Sequence, residues 1–256
     1  MQTIAELLAQ ELGASPVHVQ NVIDLLDQGN TIPFIARYRK ELHGSMDDTA
    51  LRSLEDRLSY LRNLDQRRQE VKNAIDGQGK LTDELSAAID SAATLAEVED
   101  LYRPYKQKRR TRATVAREKG LEPLARLLLD QGRDCPAPEE AARDYVDPEK
   151  GVETLADALQ GANDIVAELL SDDAAIRKTL RELLRRQGHL RSLAATEEDT
   201  VYRLYYDFDQ PIAKLAGHQV LAINRGEKEG VLSVTVLLDR ELGLMTLRRA
   251  VVRPGS

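Results

Sequence analysis

The sequence is poor in the residues on which disulfide-bonded, metal-binding and membrane proteins depend. It has no tryptophan, two phenylalanines and one cysteine, Cys135. A single cysteine excludes an internal disulfide and a multi-cysteine zinc site. No segment approaches the roughly 20 apolar residues that span a bilayer, and the N-terminus lacks the basic start and apolar run of a signal peptide. We therefore expect a cytoplasmic protein without a membrane partner.

The short motifs of catalytic and cofactor sites are missing as well. None of the four histidines has a second histidine three or four residues later, so no helical pair of metal ligands exists. The chain contains no G-x-S-x-G nucleophile motif and no glycine-rich phosphate-binding motif. We predict that the protein is not an enzyme and that it has no catalytic residue, cofactor, metal site or small-molecule substrate.

Strong helix formers dominate the composition, and they predict a mainly α fold. Leucines recur every three or four residues in one segment, which predicts a long helix from about 49 to 76. Residues 152–160 and 163–187 also have a helical pattern, whereas residues 218–226 fit either a helix or a strand. The β-branched run at residues 231–238 predicts a strand. The expected fold is a multi-helix scaffold with helix-turn-helix-like units and a small β element near the C-terminus.

Positive charge is concentrated in one short part of an acidic chain. The net charge is −7, but residues 103–119 carry eight Lys or Arg and one Glu, which gives +7 there and −14 in the remainder. Residues 103–112, here called the basic loop, lack apolar periodicity and contain a proline, which predicts an exposed loop. A local basic cluster decides where phosphates dock, even on an acidic protein.

Arginine binds phosphate at two points and tyrosine stacks on bases, so this segment is a candidate nucleic-acid site. The candidate residues are Tyr102, Arg103, Tyr105, Lys106, Lys108, Arg109, Arg110, Arg112 and Lys119. The alternative is a solvated loop, or one whose arginines pair with the acidic helices around it.

A second, weaker candidate consists of Arg37, Arg39 and Lys40. A helix-turn-helix could present these side chains to DNA. We favour a structural interpretation, in which Phe34, Ile35 and Tyr38 anchor a surface helix to the core. The acidic pairs at residues 47–48 and 172–173 are interpreted as helix caps, because negative charge is favourable at a helix N-terminus.

Three longer stretches, taken in order, resemble the N-terminal helical region of the Tex family of bacterial transcription accessory proteins. They are residues 29–41 (GNTIPFIARYRKE), 99–113 (EDLYRPYKQKRRTRA) and 116–124 (AREKGLEPL), and residues 221–226 fit the same family. The resemblance extends from about residue 3 to 238. One departure is Gln219, where the family usually has arginine after the histidine.

The resemblance implies a domain organisation and a function. We expect a Tex-like N-terminal helical region over 1–188 and, over 189–256, the start of a central region. On this expectation the chain stops before the RNase H-like, helix-hairpin-helix and RNA-binding barrel domains of the family. The implied function is a scaffold that assists nucleic-acid binding and transcription, with non-specific RNA or DNA and the transcription machinery as partners. The alternative is a protein-docking scaffold without nucleic-acid contact of its own.

Overall fold

The computed structural model describes residues 3–44, 46–132 and 135–253. The chain divides into two compact units, Met1–Tyr102 and Arg103–Ser256. The division after residue 188 that the sequence suggests remains a prediction. The fold is mainly α, as predicted, with one small antiparallel sheet in the second unit.

Helices make up the first unit, and they run α1 Ile4–Leu12, α2 Pro16–Asp27, α3 Ile32–Tyr38, α4 Lys40–His43, α5 Asp48–Asp76, α6 Asp83–Ser91 and α7 Leu95–Tyr102. The predicted long helix is confirmed as α5. Its N-terminus is capped as expected, because the Asp47 carboxylate accepts a hydrogen bond of 2.8 Å from the Ala50 backbone N–H.

The apolar stripe of α5 forms the core of this unit. Helices α1, α2, α3, α6 and α7 all pack on α5. The leucines that predicted the helix are all buried there; they are Leu51, Leu54, Leu58, Leu61 and Leu64. Burying one such side chain contributes about 1.5–3 kcal/mol, so the three-four spacing both identifies the helix and fixes the face that packs.

The second unit combines helices with a three-stranded sheet. Its helices are α8 Arg112–Glu118, α9 Glu122–Asp130, α10 Pro138–Ala142, α11 Leu155–Asp172, α12 Ala174–Gln187, α13 Gly217–Lys228 and α14 Arg240–Val251. Its strands are β1 His189–Ala194, β2 Asp207–Pro211 and β3 Leu232–Leu237, with β1 in the centre of an antiparallel sheet. The predicted strand at 231–238 is therefore confirmed, and the ambiguous segment at 218–226 is part of helix α13.

Helix α11 differs from the pattern expected for residues 152–187. The sequence indicated a break near residue 161, but α11 runs unbroken through Gly161. The real break lies at Asp173, whose carboxylate accepts from the Ile176 backbone N–H at 2.8 Å and so starts α12. Helices α8, α9 and α10 pack against α11. The glycine and the two prolines of residues 132–138 (GRDCPAP) predict a linker, and residues 133 and 134 of this segment lie outside the described residues.

Among the residues that the structure describes, none of the helices is both long enough and apolar enough to cross a membrane.

Candidate nucleic-acid interface

The basic loop leads into helix α8. Residues Arg103–Tyr105 form one turn of 3-10 helix, residues 106–111 are irregular and mostly exposed, and Arg112 begins α8. The Thr111 hydroxyl caps α8 by accepting from the Thr114 backbone N–H at 3.1 Å. The loop is therefore fixed at both ends by short helical turns, close to the extent predicted from the sequence.

Acidic side chains of α11 line the inner side of the basic loop. Asp164, Glu168 and Asp172 are spaced by four residues and so lie on one face of the helix. The Arg103 guanidinium lies 2.9 Å from an Asp172 oxygen. The Lys108 ammonium donates to Asp172 and lies 3.4 Å from Glu168. Asp172 is only 8% exposed, so these pairs hold the loop against the body of the unit.

Glu168 joins the basic loop to α8. Its carboxylate accepts from the Arg117 guanidinium at 2.7 Å and from the Thr111 hydroxyl at 2.9 Å. Burial opposes ionisation of Glu168, but these two hydrogen bonds and the nearby Lys108 outweigh it and lower the pKa of this carboxyl. The carboxylate therefore remains charged and keeps its cationic partners in place.

The outer side of the loop keeps its positive charge exposed. Arg109 is exposed and has no hydrogen-bond or ion-pair partner in the part of the chain that the structure describes. Arg110 contacts Glu118 at 2.7 Å, but both side chains are more than half exposed. Arg112 is 86% exposed and lies 3.6 Å from Asp164. An exposed pair such as Arg110–Glu118 contributes about 0–1 kcal/mol, so the Arg110 guanidinium can exchange this carboxylate for a phosphate.

The other predicted residues lie in varied settings. Tyr102 ends α7 in the first unit, where the Arg67 guanidinium carbon is 5.7 Å from its ring centre. Tyr105 is half-buried and Lys106 is exposed. Lys119, at the end of α8, donates to the Gly151 carbonyl at 2.6 Å, which ties it to a neighbouring turn. A role for each in nucleic-acid binding stays a prediction.

The sequence left open that the basic loop pairs with acidic helices, but it did not identify Asp172 as the partner of Arg103 and Lys108. The interpretation of both residues 172 and 173 as caps is right for Asp173 and wrong for Asp172, which is nearly buried and pairs with Arg103 and Lys108. The four-residue spacing of the three carboxylates on α11 was the available signal. This spacing indicated a charged helix face, but it did not indicate that the basic loop covers that face.

The second cluster lies where α3 ends and α4 begins. Ile35 is fully buried, as expected, but Phe34 is 36% and Tyr38 57% exposed, so the prediction that both rings anchor the helix is wrong. The reason is the helical period: Ile32 and Ile35 take the inner face of this seven-residue helix, and residues 34 and 38 fall on the outer face.

Two families of known proteins match parts of this chain. Residues 2–76 match the family described as the Tex-like protein N-terminal domain, and residues 134–248 match the one described as Tex central region-like. The chain is 48% identical over 243 residues to the uncharacterized protein YdcI of Bacillus subtilis, covering 92% of this chain and 34% of that protein.

Two further relatives have informative names. The chain is 45% identical over 253 residues to the protein tex of Bordetella pertussis, covering 97% of this chain and 32% of that protein. It is 42% identical over 237 residues to the transcriptional accessory protein Tex of Neisseria gonorrhoeae, covering 91% of this chain and 31% of that protein. The chain thus spans about a third of the length of these relatives.

Proposed function

The chain belongs to the Tex family, and from this we propose that it is a helical scaffold that assists nucleic-acid binding during transcription. Its partner would be RNA or DNA, bound without sequence preference, and its action would take place in the cytoplasm with the transcription machinery. We propose a binding role and no catalytic one. One relative is named a transcriptional accessory protein, which supports the link to transcription.

The observation that carries this proposal is the exposed outer side of the basic loop. Arg109, Arg110 and Arg112 present guanidinium groups to solvent within four residues. Guanidinium binds phosphate through paired hydrogen bonds and stays charged at any physiological pH. Because phosphate contacts carry no sequence information, the binding would be non-specific.

The ion pairs beneath the loop make it a better phosphate site. Arg103 and Lys108 are held by Asp172, so the backbone of the loop is fixed before any ligand arrives. A fixed loop loses less conformational entropy on binding than a free one. The acidic remainder of the chain repels phosphate, so we expect dissociation constants of roughly 10⁻⁴ to 10⁻⁶ M, typical of non-specific contacts.

A second candidate function is a protein-docking scaffold. The observation that favours it is the same set of ion pairs, since the α11 carboxylates neutralise part of the charge of the loop. In this case the loop would serve to join α8 to α11, and its arginines would have no nucleic-acid partner.

Removing the three outer arginines separates the two candidates. We expect Arg109→Ala, Arg110→Ala and Arg112→Ala together to weaken binding to a single-stranded oligonucleotide and to reduce its salt dependence. Each phosphate contact adds about 0.7 to the slope of log K against log salt for single strands, so three contacts account for about 2. Fluorescence anisotropy at several salt concentrations measures both quantities.

The matched control removes three arginines whose ion-pair partners lie four residues earlier in the sequence: Arg52→Ala, Arg126→Ala and Arg203→Ala. It changes the net charge by the same amount and should leave the slope close to that of the unmodified chain. Unchanged affinity and slope in the basic-loop variant would favour the docking scaffold. An equal loss in both variants would show that total charge, and not the loop, governs binding.

A further inference from the structure

Two aromatic rings lie exposed and in contact at the end of α3. The ring centres of Phe34 and Tyr38 are 5.2 Å apart with their planes tilted by 46°. The Arg39 guanidinium carbon lies 5.5 Å from the centre of the Phe34 ring. The Arg39 guanidinium therefore covers one face of Phe34, and the more exposed Tyr38 ring lies beside it; we call these three groups the aromatic platform.

The core does not need these rings. Ile32 and Ile35 are 3% and 0% exposed and already pack the inner face of α3, which contacts α5. The chain has only ten Phe and Tyr residues, and aromatic rings bury more apolar area than most side chains. The stability of the fold therefore does not explain why Tyr38 is 57% exposed beside a Phe34 ring that is itself 36% exposed.

Positively charged residues adjoin the aromatic platform in the sequence. Arg37 and Lys40 are exposed, and neither has a hydrogen-bond or ion-pair partner among residues 3–44, 46–132 and 135–253. With Arg39 they give three cations in four residues, and the nearest acidic residue in sequence is Glu41. These charges attract phosphate.

We propose that the aromatic platform is a second nucleic-acid site, which stacks on the bases of a single strand while Arg37, Arg39 and Lys40 contact the flanking phosphates. The proposal rests on the proposed function in taking a nucleic acid as the partner. A single strand exposes the flat faces of its bases, whereas a duplex hides them by stacking. An acidic peptide would use the cations but leave the rings exposed to water.

Single substitutions at position 38 test the stacking. The full chain is titrated against a labelled oligothymidylate of about 20 nucleotides, longer than the roughly 4–16 nucleotides of typical single-strand sites, and against an abasic oligonucleotide of equal length. We expect Tyr38→Ala to weaken binding to the oligothymidylate about tenfold and to leave binding to the abasic probe and the salt slope unchanged.

Tyr38→Phe is the control, because it keeps the ring and should bind like the unmodified chain. Because Tyr38 is 57% exposed, Tyr38→Ala should keep its circular dichroism spectrum and melting temperature.

The basic-loop variant distinguishes failure of this inference from failure of the proposed function. If that variant weakens binding and Tyr38→Ala does not, the aromatic platform is overturned and the proposed function stands. If the unmodified chain binds neither probe, both are overturned. An equal loss on the abasic probe would show a backbone contact and overturn stacking. If the chain binds polyglutamate and Tyr38→Ala leaves oligothymidylate binding unchanged, stacking is also overturned and an acidic protein partner is indicated.

Discussion

Glu168 connects the end of the basic loop to helix α8. Its carboxylate accepts hydrogen bonds from Arg117 and Thr111 and lies near Lys108, with 16% of the side chain exposed. The contacts connect positions more than 50 residues apart in the sequence. No local pattern in the sequence reveals pairs at such separations, which is why the loop could be predicted but its acidic support could not.

We expect Glu168→Gln to destabilise the second unit by about 1–3 kcal/mol near neutral pH, since it weakens charge-assisted hydrogen bonds. The folded pKa of Glu168 is lowered, so the contribution of the carboxylate is present above the ordinary carboxyl pKa of about 4.3. It is lost as the pH falls through the folded value. The difference in urea unfolding midpoint between the unmodified chain and Glu168→Gln should therefore become smaller in acid.

Asp199→Asn is the control for this experiment. Asp199 pairs with Arg203 at 3.3 Å, and both side chains are largely exposed, so its loss should cost no more than about 1 kcal/mol. A Glu168→Gln difference that stays constant from neutral to acidic pH would contradict the role assigned to the ionised carboxylate.

At the scale of secondary structure, Gly161 explains why α11 continues where the sequence indicated a break. A Cβ at this position would lie 2.3 Å from a Leu121 methyl and 3.4 Å from the Ala116 Cβ. Leu121 is 1% exposed and cannot move aside freely. The glycine therefore serves the close approach of α11 to the segment joining α8 and α9, and it does not end the helix.

Gly161→Ala should lower the stability of the second unit by about 1–2 kcal/mol. Overpacking costs about 1–3 kcal/mol, and this exceeds the gain of up to about 1 kcal/mol from replacing glycine within a helix. Gly243 in α14 is the matched control, because a Cβ there meets only a Leu238 methyl at 3.6 Å. We expect Gly243→Ala to stabilise the second unit slightly, which would raise its urea unfolding midpoint. Stabilisation by both substitutions would show that α11 is not closely packed at Gly161.

The elements that sequence reasoning located best are those with a strong period. Five leucines defined α5, and a β-branched run defined β3. The assignment of Phe34 and Tyr38 to the core was wrong because a helix of seven residues is too short for its pattern to reveal which face is buried. The apolar pattern of residues 163–187 continues across the boundary at Asp173, so the helical period did not show it, and only the interpretation of the acidic pair as a cap indicated it.

At the scale of the whole molecule, the distribution of charge matters more than its sum. The chain has a net charge of −7, yet its basic segment carries +7. The structure divides this segment into an inner side paired with α11 and an outer side with exposed arginines. The sequence could locate the segment and not this division, because the division depends on which charges the fold brings together.

Photo-crosslinking of the full chain to a single-stranded oligonucleotide shows whether the basic loop is where nucleic acid binds. Cleavage after glutamate releases residues 100–118, with the basic loop, as one peptide, because no glutamate lies between Glu99 and Glu118. If the basic loop binds phosphate, crosslinks form in this peptide at low salt, and fewer of them form as the salt concentration rises. Crosslinks confined to other peptides, such as those of α12 with its five Lys and Arg, would show that the basic loop is not the binding site.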